Sequence, residues 1–90
     1  MPQADAAALQ PVQSLLRQLR EIKGVREVRP GAFQVRGSAF IQFQSDGGAL
    51  HAELKKPGGS GFDRFALDTP AHQRKLVDEA RLRAARLDDD

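Results

Sequence analysis

From Ala32 to Lys56 the chain alternates apolar and polar residues with few breaks, and this period of two is the strongest constraint in the sequence. Successive side chains of an extended strand point to opposite faces, so such a run satisfies itself as a sheet with one face buried. From Ala32 to Arg36, Phe33 and Val35 share a face. From Ser38 to Gln44, Ala39, Ile41 and Phe43 share one face, with Gln42 and Gln44 opposite. From Ala49 to Lys56, Leu50, Ala52 and Leu54 share one face, with His51, Glu53 and Lys55 opposite.

The turns fix an expected register. Asp46-Gly47 is a strong signal for a two-residue hairpin turn. A tight turn there pairs Phe43 with Leu50, Ile41 with Ala52 and Ala39 with Leu54, all on the apolar face. The same register sets Gln42 beside His51 and Phe40 beside Glu53 on the polar face. The Arg36-Gly37 turn is expected to be bulged, with Gly37 left-handed, because that keeps Phe33 and Val35 on the inner face.

Helical periodicity flanks this region. Val12, Leu15, Leu16, Leu19 and Ile22 form one apolar stripe, so a first helix is predicted from Pro11 to Lys23. Pro11 suits its first turn, and Gly24 suits the left-handed position just past its end. Val25 to Arg29 is a weak strand candidate before Pro30-Gly31. Phe62 to Leu67 is a further strand that buries Phe65 and Leu67. Thr69 can then cap a last helix that opens at Pro70 and buries Leu76, Val77, Ala80, Ala84 and Leu87. Along it, Arg74 and Asp78, Lys75 and Glu79, and Glu79 and Arg83 stand four apart. Exposed pairs of that kind contribute about 0.2–0.5 kcal/mol each.

The expected fold class is therefore α+β: a two-layer domain with a helix, a three- or four-stranded antiparallel meander, and a helix. Residues 1–10 read as a flexible N-terminus, 11–87 as a single domain and 88–90 as an acidic tail.

Composition narrows the function classes. A chain of 90 residues holds one domain with a modest core. With no cysteine, neither disulfides nor a thiolate metal site can staple it. No segment reads as a signal peptide or approaches the apolar length needed to span a bilayer, so the expectation is a soluble cytoplasmic protein with no membrane partner. The net charge is only +2.

Candidate sites are few. Lys55 and Lys56 precede Gly58, Gly59 and Gly61, as in a phosphate cradle, but a P-loop needs Gly-Lys-Ser/Thr opening a helix, and here Phe62 follows. A dinucleotide fingerprint fails at Arg64. Ser60 is not in a nucleophile elbow, because Phe62 replaces the last glycine. His51 and Glu53 share a strand face, and His72 would have to meet them to complete a metal site. Accordingly no catalytic residue, metal ligand or cofactor is assigned.

Two binding surfaces remain. Arg17, Arg20, Lys23, Arg26, Lys55, Lys56, Arg74 and Arg81 could meet a phosphate backbone, although acidic residues are interleaved with them. Phe40, expected to point outward among Gln42, His51 and Glu53, could mark a partner or self-association surface.

The run Phe33-Gln34-Val35-Arg36-Gly37-Ser38-Ala39-Phe40, followed by Leu50-His51-Ala52-Glu53-Leu54-Lys55, resembles the small YjbR/MmcQ-like family. Its members read aromatic-x-Val-x-Gly-x-x-Phe across a strand-turn-strand, then a Leu-x-Leu-Lys strand. The match covers roughly residues 25–56, and the family's His-Trp segment has no counterpart in the C-terminal half. The resemblance implies a small α+β fold with a helix at each end and a DNA-binding-like description, and it carries over no catalytic residue.

The sequence therefore favours a small non-enzymatic binding or interaction module, self-associating through the outer sheet face. The alternative is a weak nucleic-acid or phosphate binder.

Overall fold

A computed structural model describes residues 9–46, 49–57 and 61–88. The elements run from a 3-10 turn, Gln10–Val12, into helix α1, Gln13–Arg20. Strands β1 (Val25–Arg29), β2 (Ala32–Val35), β3 (Ser38–Asp46), β4 (Ala49–Lys55) and β5 (Phe62–Ala66) follow, and helix α2 spans Pro70–Asp88. The strands form one five-stranded antiparallel sheet in chain order, β1-β2-β3-β4-β5. Both helices cover one face of it, giving the expected two-layer α+β architecture with one strand more than the meander foreseen.

The first helix is shorter than predicted. Its α-helical part ends at Arg20, and the chain then tightens: the N–H groups of Glu21 and Ile22 bond the carbonyls of Gln18 and Leu19. Gly24, at φ 87°, reverses the chain into β1. Order begins earlier than Pro11, because Leu9 is fully buried in the core. At the other end Thr69 caps α2 as expected, its Oγ1 accepting the His72 N–H at 3.1 Å. The predicted stripe Leu76, Val77, Ala80 and Ala84 is buried, with Leu87 packed at its edge.

The β1–β2 and β2–β3 turns are both tight. Arg29 pairs with Ala32 across Pro30-Gly31, with Gly31 at φ 79°, as a turn with proline first and glycine second requires. Val35 pairs with Ser38 across Arg36-Gly37, and both turn residues have positive φ, 54° and 80°. That is the hairpin turn whose twist matches the strands.

The expected bulge exists, but it lies inside β3 rather than in the turn. Gln34 pairs with Ala39 and Phe33 with Ile41, so Phe40 is the extra residue. This corrects the outward placement of Phe40. A bulge lets two consecutive side chains lie on one side of a strand, and Phe40 and Ile41 are both fully buried. Ala39, expected on the inner face, takes the position opposite Gln34 instead.

The β3–β4 register is also corrected. Phe43 pairs with Ala52, Ile41 with Leu54 and Ser45 with Leu50, and the ladder runs out to Asp46↔Ala49. This is two residues from the register that an Asp46-Gly47 turn would set; Gly47 itself lies outside the described residues. A shift of two keeps every side chain on its face, so the pattern of burial survives while each partner changes. Gln44, not Gln42, now stands beside His51, and Gln42, not Phe40, beside Glu53.

The core between sheet and helices holds Phe33, Phe40, Ile41, Phe43 and Leu54 against Leu15, Leu16, Leu19 and Leu76. The rings of Phe33 and Phe43 sit 6.3 Å apart in a tilted pair. Gly31 is packed tightly here: its carbonyl accepts the Phe43 N–H at 2.8 Å, and a Cβ on it would lie 3.1 Å from Leu9 Cδ1.

Candidate binding surface on the open sheet face

The face of the sheet turned away from the helices carries the second half of each alternating pattern. Register places its side chains in cross-strand rows. Gln42, Glu53 and Arg64 stand side by side across β3, β4 and β5, and Gln44, His51 and Ala66 form the next row. Lys55 faces Phe62, and on the far side Arg26 faces Gln34. Directly opposite side chains lie about 4.5–5.5 Å apart at Cβ, so each row is a continuous strip.

Local chemistry sets what each residue offers. His51 is nearly buried, at 7% exposure, and its Nε2 donates to Gln44 Oε1 at 3.2 Å. Small Ala66 flanks it on the other side. The row is therefore a fixed polar floor rather than a free imidazole. Glu53 is the sole carboxylate of the face among the residues whose side chains are described. Against it stand four cations, Arg26, Arg29, Lys55 and Arg64, with Arg29 opposite Ala32 in the Gln42–Glu53–Arg64 row. Phe62 is 40% exposed on the same face, close to Lys55 and Arg64. At the β1–β2 corner, Arg26, Gln34 and Arg36 line a recess of ≈ 460 Å³. Glu27 also borders it, but its carboxylate is held by Arg20 at 2.5 and 3.3 Å. That bond raises the Arg20 pKa further above its ordinary value.

The basic residues expected to bind phosphate are not brought together. Arg17, Arg20 and Lys23 lie exposed along α1 and the turn after it, and Arg74 and Arg81 lie exposed along α2. These belong to the helical layer. Arg26 and Lys55 belong to the opposite face, and Lys56 lies exposed just past the end of β4. The glycine-rich connection is tied at its ends, the Lys56 N–H donating to the Gly61 carbonyl at 3.0 Å. Gly58, Gly59 and Ser60 lie outside the described residues.

Of the residues expected on an interaction face, Gln42, His51 and Glu53 share the open face, whereas Phe40 lies in the core. Neither do His51, Glu53 and His72 converge. His72 Nδ1 instead meets Asp68 at 2.6 Å in the first turn of α2. Among the described residues no three His, Asp or Glu side chains gather as metal ligands would.

Sequence reasoning passes over Gln34, Phe62 and Arg64 as members of this face. Phe62 and Arg64 are legible from the alternation of β5 once Phe65 is placed inside. The spacing of charges along α2 marks Arg83 as half of an exposed ion pair. It is instead 12% exposed and bonds Asp63, Glu79 and the Lys55 carbonyl, with Phe65 5.8 Å beneath its guanidinium.

No protein-family model, curated protein or solved structure matches the chain. Among the described residues no helix is long and apolar enough to cross a membrane.

Proposed function

We propose that this domain is a non-catalytic binding module whose contact surface is the open sheet face and whose partner is a single-stranded nucleic acid. One observation carries the reading: among the residues whose side chains are described, a helix-free face presents four cations against one carboxylate, interleaved with glutamines and an exposed phenylalanine. Cations track a phosphate backbone, and an aromatic face stacks a base whatever its identity. Phe62 beside Lys55 and Arg64 supplies that combination. Open sheets are a recurrent platform for splayed single strands.

Self-association through the same face is less well supported. It loses its aromatic anchor with Phe40 in the core, and two copies face to face would bring like charges together. An acid–base role is weakly supported as well. The His72–Asp68 pair is 51% and 72% exposed, so water screens it.

Amide shifts of the full chain, titrated with a short single strand and a short duplex, test this reading. The expected result is saturable shifts on Arg26, Gln34, Gln42, Phe62 and Arg64 with the single strand. Affinity should fall with salt. Arg26→Glu should flatten the salt slope by about 0.7, the value for one phosphate that is no longer neutralised. Shifts confined to the exposed arginines of α2, or none at low salt, would remove the proposal.

A further inference from the structure

The two edges of the sheet are built differently. The β1 edge is broken: its register slips between Glu27 and Arg29, leaving Val28 unpaired, and Pro30 follows at once. Bulges, edge charges and prolines are how an edge is blunted against further pairing. β5 carries charges at Asp63 and Arg64 but has neither bulge nor proline. All five of its residues pair in regular register with β4, from Lys55↔Phe62 to His51↔Ala66. Among the described residues its other side adjoins no strand.

Alongside that edge runs a groove of ≈ 550 Å³ between β5 and α2, lined by Asp63, Phe65, His72, Lys75, Glu79 and Arg83 among others. Phe65 supplies an apolar floor. Arg83 pairs with both carboxylates, Asp63 and Glu79, at 3.0 and 3.1 Å, one positive charge against two, and His72 is engaged by Asp68. Among the described residues Lys75 makes no ion pair of its own, and Arg64 also lines the groove, so that, His72 aside, Arg64, Lys75 and Arg83 against Asp63 and Glu79 leave the lining with an excess of one positive charge. A strand edge supplies main-chain hydrogen bonds, and a flanking groove supplies pockets for alternate side chains.

We propose that the β5 edge accepts an extended acidic peptide of a partner protein as a sixth strand, its alternate side chains entering the β5–α2 groove and a carboxylate meeting Lys75. This surface adjoins the open sheet face at Arg64 and Ala66, but the β5 main-chain edge and Lys75 are no part of that face, so the proposal stands whether or not nucleic acid binds there.

The probe is a capped peptide of about seven residues, a usual strand length, alternating valine and glutamate. It is compared with a valine–lysine counterpart and with the same acidic peptide N-methylated along one edge. The full chain is titrated by amide shifts and hydrogen exchange. The expected result is saturable shifts on Phe62–Ala66, His72 and Lys75, with new protection of β5 amides. Affinity should fall about tenfold for the lysine peptide and for Lys75→Glu, and be lost on N-methylation; Arg26→Glu should leave it unchanged. Equal binding of the two charge types, or no shift in β5, overturns the proposal. Concentration-dependent dimerisation through β5 that the peptide does not displace overturns it in favour of a second copy.

Discussion

Arg83 Nη1 donates to the carbonyl of Lys55 at 3.0 Å, 28 residues away in sequence, and so ties the last helix to the end of β4. The same guanidinium closes ion pairs with Asp63 and Glu79. Hydrogen bonds to charged groups stabilise by about 1.5–3 kcal/mol, and removal of this largely buried cation strands two carboxylates. Arg83→Ala is expected to destabilise by about 2–3 kcal/mol, read as a lower urea midpoint at unchanged slope. Arg81→Ala, on the exposed side of α2, should fall within about 0.5 kcal/mol of the parent.

Phe40→Ala separates a core residue from an interface residue. With the ring fully buried, truncation leaves a cavity and is expected to destabilise by about 3–5 kcal/mol. A substitution that left thermal stability intact would return Phe40 to the surface and undo the bulge argument.

Two glycines with nearly equal φ make a controlled comparison. Gly37 has nothing within 4 Å of where a Cβ would stand, whereas Gly31 would crowd Leu9 Cδ1 at 3.1 Å and Phe43 Cβ at 3.2 Å. Gly37→Ala should lose only the left-handed backbone term, about 1–2 kcal/mol. Gly31→Ala should lose that and about 1 kcal/mol or more from overpacking. Equal losses by urea titration would mean the Leu9 contact has no weight.

The hydrogen bond from His72, with a smaller contribution from Asp68's own backbone amide, holds the Asp68 carboxyl below the usual carboxylate range. A folded-state pKa lowered this way stabilises fully above the ordinary value, about 4, and that stabilisation fades as pH falls through the lowered value. Thermal midpoints of the parent and Asp68→Asn should therefore differ near pH ~6 and converge below about pH 4. A gap that persisted in acid would assign the effect to something other than the carboxylate.

The period of two in β3 and β4 and the helical stripes made the inner layer legible: Phe33, Ile41, Phe43, Leu54, Leu76 and Ala80 all lie where alternation or helical spacing sets them. What escaped was every feature set by one residue's displacement. A bulge leaves no period, so Phe40 and Ala39 exchanged roles. A two-residue shift preserves burial, so no pattern distinguishes Leu50 opposite Phe43 from Leu50 opposite Ser45. Of the candidate surface, Gln42, His51, Glu53, Arg26 and Lys55 were legible as outward residues. Their union with Phe62 and Arg64 depends on β5 joining the same sheet, which is a tertiary fact. Arg83 was missed because charge spacing along a helix says nothing of what the helix lies upon.

The strand order repeats the chain order without a crossover. Each hairpin therefore closes over a few residues, and no strand must wait for a distant one before it finds a neighbour. Folding speed tracks the sequence separation of contacts, so a sheet assembled this way can grow stepwise from any hairpin. A chain emerging from the ribosome could lay down β1 to β4 in turn while the last helix is still unmade. Those four strands would have only α1 over their apolar face, and the share that Leu76, Val77, Ala80 and Ala84 cover would stay open to solvent until α2 arrives.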